Sequence, residues 1–210
     1  MSDLRHDDEL HPVLHWYDFV CPFCYVGQHR TVILERAGLD VVALPFQAHP
    51  DIPSGGVLAG RRRGAIYAML EQEATAAGLV LNWPTRIPDS RRALATTEWV
   101  RRHQPDAFAE LRRALFEAHF VRGEDIDDPE VLTRYAARLG IDTGAVHNVL
   151  ADSTAYAAVT RAELTGRRCG VDGTPAWMVA GRLLVGLRPA SAFQRLAELW
   201  ASVPVAGDRC

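Results

Sequence analysis

A chain of 210 residues, 48% apolar and 23% charged, is long enough to bury a sizeable core and too ordinary in makeup for disorder, collagen-like repeats or coiled coils. Its net charge of -3 offers no general attraction for nucleic acid, and the complete replacement of lysine by arginine among its 23 basic residues reads as the mark of a GC-rich genome rather than of function. Four cysteines are too few for a disulfide-stapled scaffold, so the two packed into Cys21-Pro22-Phe23-Cys24 need another explanation.

The first dozen residues carry Asp3, Asp7, Asp8 and Glu9 and no apolar h-region, which argues against a secretory signal. No window approaches the ~18 apolar residues of a membrane helix. The chain therefore reads as cytoplasmic, where a close cysteine pair is more often redox-active or metal-binding than structural.

Val13 to Val20 is a β-branched and aromatic run of strand length that ends directly in the cysteine motif. From Pro22 the apolar residues Val26, Ile33, Leu34 and Ala37 fall at helical spacing, with proline tolerated in the first turn and Gly38 as a stop. Val41 to Ala48 is a second strand, parallel to the first because a helix intervenes, with Pro45 marking an edge or bulge. His49 to Gly60 reads as loop.

The segment 61–168 reads as a helical insertion. Stripes at Ile66, Met69, Leu70 and Ala74, at Phe108 to Phe120, and at Val131 to Leu139 predict three of its helices, the last opened by Asp128-Pro129-Glu130 and closed by Gly140. Two strands then flank an Ala180-Gly181 turn, and a helix runs from about Pro189 to Ser202. The expected fold is α/β: a discontinuous domain of 13–60 and 169–203, βαβ then ββα in one mixed sheet, interrupted by the helices, with 1–12 and 204–210 as flexible tails.

A thiol attacks only as thiolate. Cys21, where a strand feeds a helix, meets unpaired N–H groups and the positive end of the helix dipole, so it is the expected nucleophile. Cys24, one turn on, is the expected resolving thiol. Pro22 and Phe23 donate no hydrogen bond to a thiolate, which predicts less stabilisation than a histidine at position 23 gives and a potential below the strongest oxidants. Zinc is the competing use of the pair, but Cys169 and Cys210 stand 41 positions apart and His29 and His49 are isolated, so no second half-site is evident.

The Asp-Phe-Val-Cys-Pro-Phe-Cys-Tyr-Val-Gly core resembles the DsbA-like branch of the thioredoxin superfamily, in particular the FrnE-like group and the related 2-hydroxychromene-2-carboxylate isomerases. Pro45 to Pro53, Leu115 to Phe120 with Gly123 to Ile126, and Gly170 to Pro175 resemble further landmarks of that branch. The resemblance implies a cis Pro175 facing the cysteine turn, Thr174 and Pro175 with Pro22 and Phe23 at the substrate, and pairing as dimers. It implies thiol–disulfide exchange with protein or small-molecule thiols and disulfides; the net charge, the lack of a long apolar window and the missing half-site leave nucleic acid, membrane and metal out of the expected partners. The alternative is an isomerase or transferase of aromatic or polyketide metabolites that uses a low-molecular-weight thiol such as glutathione; the retention of both cysteines favours dithiol chemistry.

Other residues carry blander expectations. Cys169 reads as a small buried hydrophobe before a third redox thiol, and Cys210 as an exposed tail thiol. Arg61 to Arg63 read as a solvated helix start before an anion site, and His15 and His119 as satisfied packing residues. Trp83 reads as core before the wall of a substrate groove.

Overall fold

The computed structural model describes residues 12–151 and 153–201. The calls on the terminal tails and on Cys210 lie outside the described residues. Strand β1 (Val13–Tyr17) leads through a turn into helix α1 (Pro22–Arg36), which returns to strand β2 (Val41–Pro45) beside β1 and parallel to it. Strand β1 is shorter than the run that predicts it, because Cys21 N–H bonds back to Asp18 carbonyl and bends the chain. Strands β5 (Ala176–Val179) and β6 (Arg182–Val185) form an antiparallel hairpin, and β5 pairs antiparallel with β1. The sheet order is β2-β1-β5-β6, so Pro45 lies on an edge strand, where a missing N–H costs no ladder bond. Helix α8 (Ala190–Ala201) packs against α1.

Between the two halves lie α2 (Ala65–Ala76), α3 (Arg91–His103), α4 (Pro105–Phe120), α5 (Pro129–Arg138), α6 (Thr143–Ala151) and α7 (Ser153–Arg168). Two features depart from the sequence reading. Val57–Leu58 (β3) pairs antiparallel with Arg86–Ile87 (β4), so the segment 49–60 is not all loop and the insertion is not purely helical. Helix α3 shows no apolar stripe because it is enclosed: Ala93, Leu94, Thr96, Thr97 and Glu98 are all buried.

On one side of the sheet Trp177, Leu34 and Phe193 pack together; on another Trp16, Phe46 and Ala176 do. A third cluster runs from Tyr17, Phe19, Cys21, Cys24 and Tyr25 into Phe116, Leu94, Leu132 and Val159. The strand end that carries the cysteines therefore shares one core with the helices of the insertion. Truncating a buried aromatic at this seam, such as Phe116, costs about 3–5 kcal/mol. Among the described residues no helix is long and apolar enough to cross a membrane.

Candidate active site

Cys21 is the N-cap of α1. Its backbone is extended (φ -85, ψ 112) and its Sγ accepts from the Cys24 N–H at 3.4 Å, as an N-cap oxygen would, with Pro22 at the first helical position. As a thiol it donates to the Thr174 carbonyl, also at 3.4 Å. The Thr174–Pro175 bond is cis. The two cysteines are free thiols of unequal access: Cys21 retains 7% of its surface and Cys24 none.

Burial pushes the Cys21 thiol up, but hydrogen bonding from Cys24, through its thiol and its N–H, outweighs it, and Cys21 titrates below an ordinary thiol. Burial and the neighbouring Cys21 sulfur both push Cys24 the other way, well above the usual thiol range. The two neighbouring sulfurs thus divide into one acidic thiol, the less deeply buried, and one protonated, fully enclosed thiol, which is the asymmetry that exchange through a mixed disulfide requires.

Asp18, which the sequence reading left without a role, lies beneath this pair. Its backbone N–H donates to Cys24 Sγ at 3.4 Å, and its fully buried carboxylate accepts from Ala48 N–H at 2.8 Å and Val20 N–H at 3.4 Å. Burial raises its pKa against those hydrogen bonds. The available signal was its place three residues before the motif, at the end of an otherwise apolar strand.

Gly27 sets the spacing between helix and proline loop. A Cβ there would stand 3.2 Å from the Trp177 ring and 3.5 Å from Pro175. Phe23 is partly buried against the shared core, and Pro22 borders a groove with Val20, His49, Tyr67, Trp83 and Phe120. Trp83 is a groove wall as well as a core neighbour. Arg62 is not simply solvated: its guanidinium stacks 4.8 Å from the centroid of the Trp83 ring in the same groove, ahead of the helix start at Ala65.

His15 stacks on Trp177 at 4.6 Å and bonds Thr31, yet its Nε2 is buried without a partner, so it is only half satisfied. Burial holds His119 down at about 4. Cys169 packs against the Trp16, Phe46 and Ala176 cluster. Among the described residues no group of three or more His, Cys, Asp or Glu gathers in a way that could hold a metal ion.

The chain is similar in fold to several solved structures. A probable DsbA oxidoreductase, SCO1869 from Streptomyces coelicolor, is 25% identical with a TM-score of 0.74, covering 94% of this chain and 93% of that one. A 2-hydroxychromene-2-carboxylate isomerase is 21% identical (TM-score 0.73; 92% and 100%). The cytosolic disulfide reductase DsbM from Pseudomonas aeruginosa, solved with GSH, is 18% identical (TM-score 0.63; 91% and 96%). The model of the DSBA-like thioredoxin domain matches residues 12–198, and the chain belongs to that family.

Proposed function

We propose that the protein is a dithiol–disulfide oxidoreductase working through Cys21 and Cys24. The observation that carries this is the Cys21 sulfur, acidic at the head of α1 and less deeply buried than Cys24, in contact with the Thr174 carbonyl. The Cys21 thiolate attacks one sulfur of a substrate disulfide; a mixed disulfide forms and the second substrate sulfur leaves as thiolate. Cys24 then loses its proton and attacks Cys21 Sγ, which releases the remaining substrate sulfur and leaves the Cys21–Cys24 disulfide. The substrate gains two electrons and the protein loses them; run backwards, the same steps oxidise a dithiol. Thr174, Pro175, Pro22 and Phe23 frame the approach of the partner to Cys21.

Glutathione or an equivalent small thiol is a fitting electron donor in a cytoplasmic setting, since the similar DsbM was solved with GSH. The direction of flow follows from the Cys21–Cys24 potential: a value near ~-270 mV makes a reductant and one near ~-120 mV an oxidant. Insulin reduction by the wild type and by Cys21→Ser tests the assignment. Activity should vanish in the variant, and unchanged turnover would refute the role of Cys21.

A second reading draws support from the groove of about 250 Å³ that Trp83 and Arg62 form beside Pro22. Its aromatic and cationic lining suits an isomerase or transferase of aromatic metabolites that employs a bound thiol, although at this volume it holds only part of such a substrate. That reaction needs no resolving cysteine, so turnover that survives Cys24→Ser favours it over dithiol exchange.

A further inference from the structure

The groove beside Pro22 is lined from two irregular parts of the chain. One is the loop after α2, where Trp83 meets Tyr67 edge to face at 5.4 Å between ring centroids. It is anchored at Asn82, whose backbone N–H and side-chain amide donate to the carbonyls of Phe120 and Val121 at the end of α4, both at 2.8 Å. The other is the segment 49–60, which brings Ile52 and Gly60 to the groove.

That second part has its own anchor. Strand pairing and Arg86 tie it to its own hairpin: Ala59 N–H donates to the Thr85 carbonyl at 2.9 Å, and the Arg86 guanidinium donates to the carbonyls of Gly55 and Gly56. Asp127, in the turn before α5, fastens the hairpin to the insertion. Its Oδ2 accepts from the Ser54 hydroxyl at 3.2 Å and from the Gly55 N–H at 3.4 Å. Ser54 and Gly55 are exposed, so burial does not hold them in place. Asp127, by contrast, is buried and fixed: its N–H donates to Asp125 Oδ1 at 2.9 Å, and Arg92 on α3 pairs with its Oδ1 at 3.6 Å and donates to its carbonyl.

We infer that Asp127 is a positioning residue for the partner that reaches Cys21: it holds the segment 49–60, and with it the Ile52 and Gly60 lining of the groove. The inference rests on the redox reading of Cys21. A carboxylate locked by a cation and accepting from two donors of an exposed loop is the preorganised support that a site built on loops requires. Asp127 does not itself line the groove. Its loss should therefore weaken the binding of partners that fill the groove and leave the attack of the sulfur alone.

Insulin, a protein disulfide, and bis(2-hydroxyethyl) disulfide, a small one, separate these effects. In Asp127→Ala the insulin KM should rise about fivefold or more, with kcat and the turnover of the small disulfide within about twofold of wild type. Ser54→Ala changes an exposed residue and removes one of the two donors, so it should raise the insulin KM by about twofold. An unchanged insulin KM in Asp127→Ala overturns the proposal, as does an unchanged KM in Ser54→Ala should the first variant fold poorly. Equal losses with both disulfides overturn it too, since they mark a general disturbance of the fold. Cys21→Ser keeps the two claims apart. Insulin reduction that persists there, or is absent from the wild type, refutes the redox reading; hydrogen exchange then decides the role of Asp127. Peptides covering 49–60 should exchange about tenfold faster in Asp127→Ala, and an unchanged rate overturns the anchor.

Discussion

The Sγ atom of Cys21 touches the carbonyl oxygen of Thr174 at 3.4 Å across 153 residues of sequence, which makes the first and last thirds of the chain two sides of one site. The two partners favour opposite states of the sulfur. The Thr174 carbonyl accepts from the thiol, whereas the Cys24 N–H and thiol donate to the thiolate. Cys24 is therefore more than a resolving group: it helps to keep Cys21 ionised.

This division predicts the behaviour of single variants. In Cys24→Ala one donor to the Cys21 thiolate is lost while burial remains, so the thiolate absorbance of Cys21 should titrate at higher pH than in the wild type. Alkylation by iodoacetamide at neutral pH should slow accordingly. In the wild type the same reagent should modify Cys21 well before Cys24, which has no exposed surface. A Cys24→Ala protein whose Cys21 titrates at the wild-type pH contradicts the assignment.

Gly166 on α7 lies against the sheet where no side chain fits. A Cβ there would come 2.8 Å from Trp16 Nε1 and 3.3 Å from the Phe46 ring, and both aromatics are fully enclosed. Replacing a helical glycine by alanine normally gains up to ~1 kcal/mol. Overpacking two buried rings costs ~1–3 kcal/mol, so the clash should win. Gly166→Ala is expected to lower the denaturant midpoint at unchanged m-value; a midpoint equal to or above the wild type shows that the rings can yield.

What could be read from sequence was local. The turn between β1 and α1 announces itself through a β-branched run, a cap residue and Pro22; the β5–β6 hairpin announces itself through two apolar runs around Ala180-Gly181. Strands β3 and β4 leave no such trace, since two residues each cannot show an alternation and their pairing depends on a distant partner. Helix α3 was hidden for the opposite reason, because a helix buried on every side has no apolar stripe to detect. Arg112 and Asp18 are the instructive buried charges. A charged residue on a helix or at a strand end ordinarily faces water, and only the assembled packing of Tyr17, Phe108, Ala48 and Cys24 around them makes these two buried.

Ala180 is the one non-glycine among the described residues with positive φ, at 47°, and it is followed by Gly181 at 72°. Two consecutive left-handed residues in a two-residue connection are the geometry of a type I′ hairpin turn, whose handedness suits the strand twist. Alanine pays for the left-handed region with its Cβ, while asparagine tolerates it better. Because Ala180 is exposed, Ala180→Asn should raise stability by about 0.5–1 kcal/mol, seen as a higher Tm in the reduced protein with redox activity unchanged. A lower Tm counts against the turn assignment.

Asp18 ties stability to the chemistry of the turn. Its carboxyl titrates higher in the fold than in the unfolded chain, because complete burial outweighs the hydrogen bonds from Ala48 and Val20. A group raised in this way contributes fully below its unfolded value of about 4, and the contribution is lost as pH rises through the folded value. Ionising Asp18 in its buried site therefore costs the fold stability as pH rises. Asp18→Asn keeps the shape and an acceptor for the Ala48 N–H at 2.8 Å but removes the charge. The variant should gain stability over the wild type as pH rises from about 4 to 7, by about 1–3 kcal/mol if the desolvation of one charged group dominates. Chemical denaturation of both proteins at pH 4 and pH 7 measures the difference, and a gap that stays constant across that interval means that Asp18 is not the titrating group. In the ionised state the Asp18 carboxylate opposes the thiolate form of Cys21, so Asp18→Asn should also shift the Cys21 titration to lower pH.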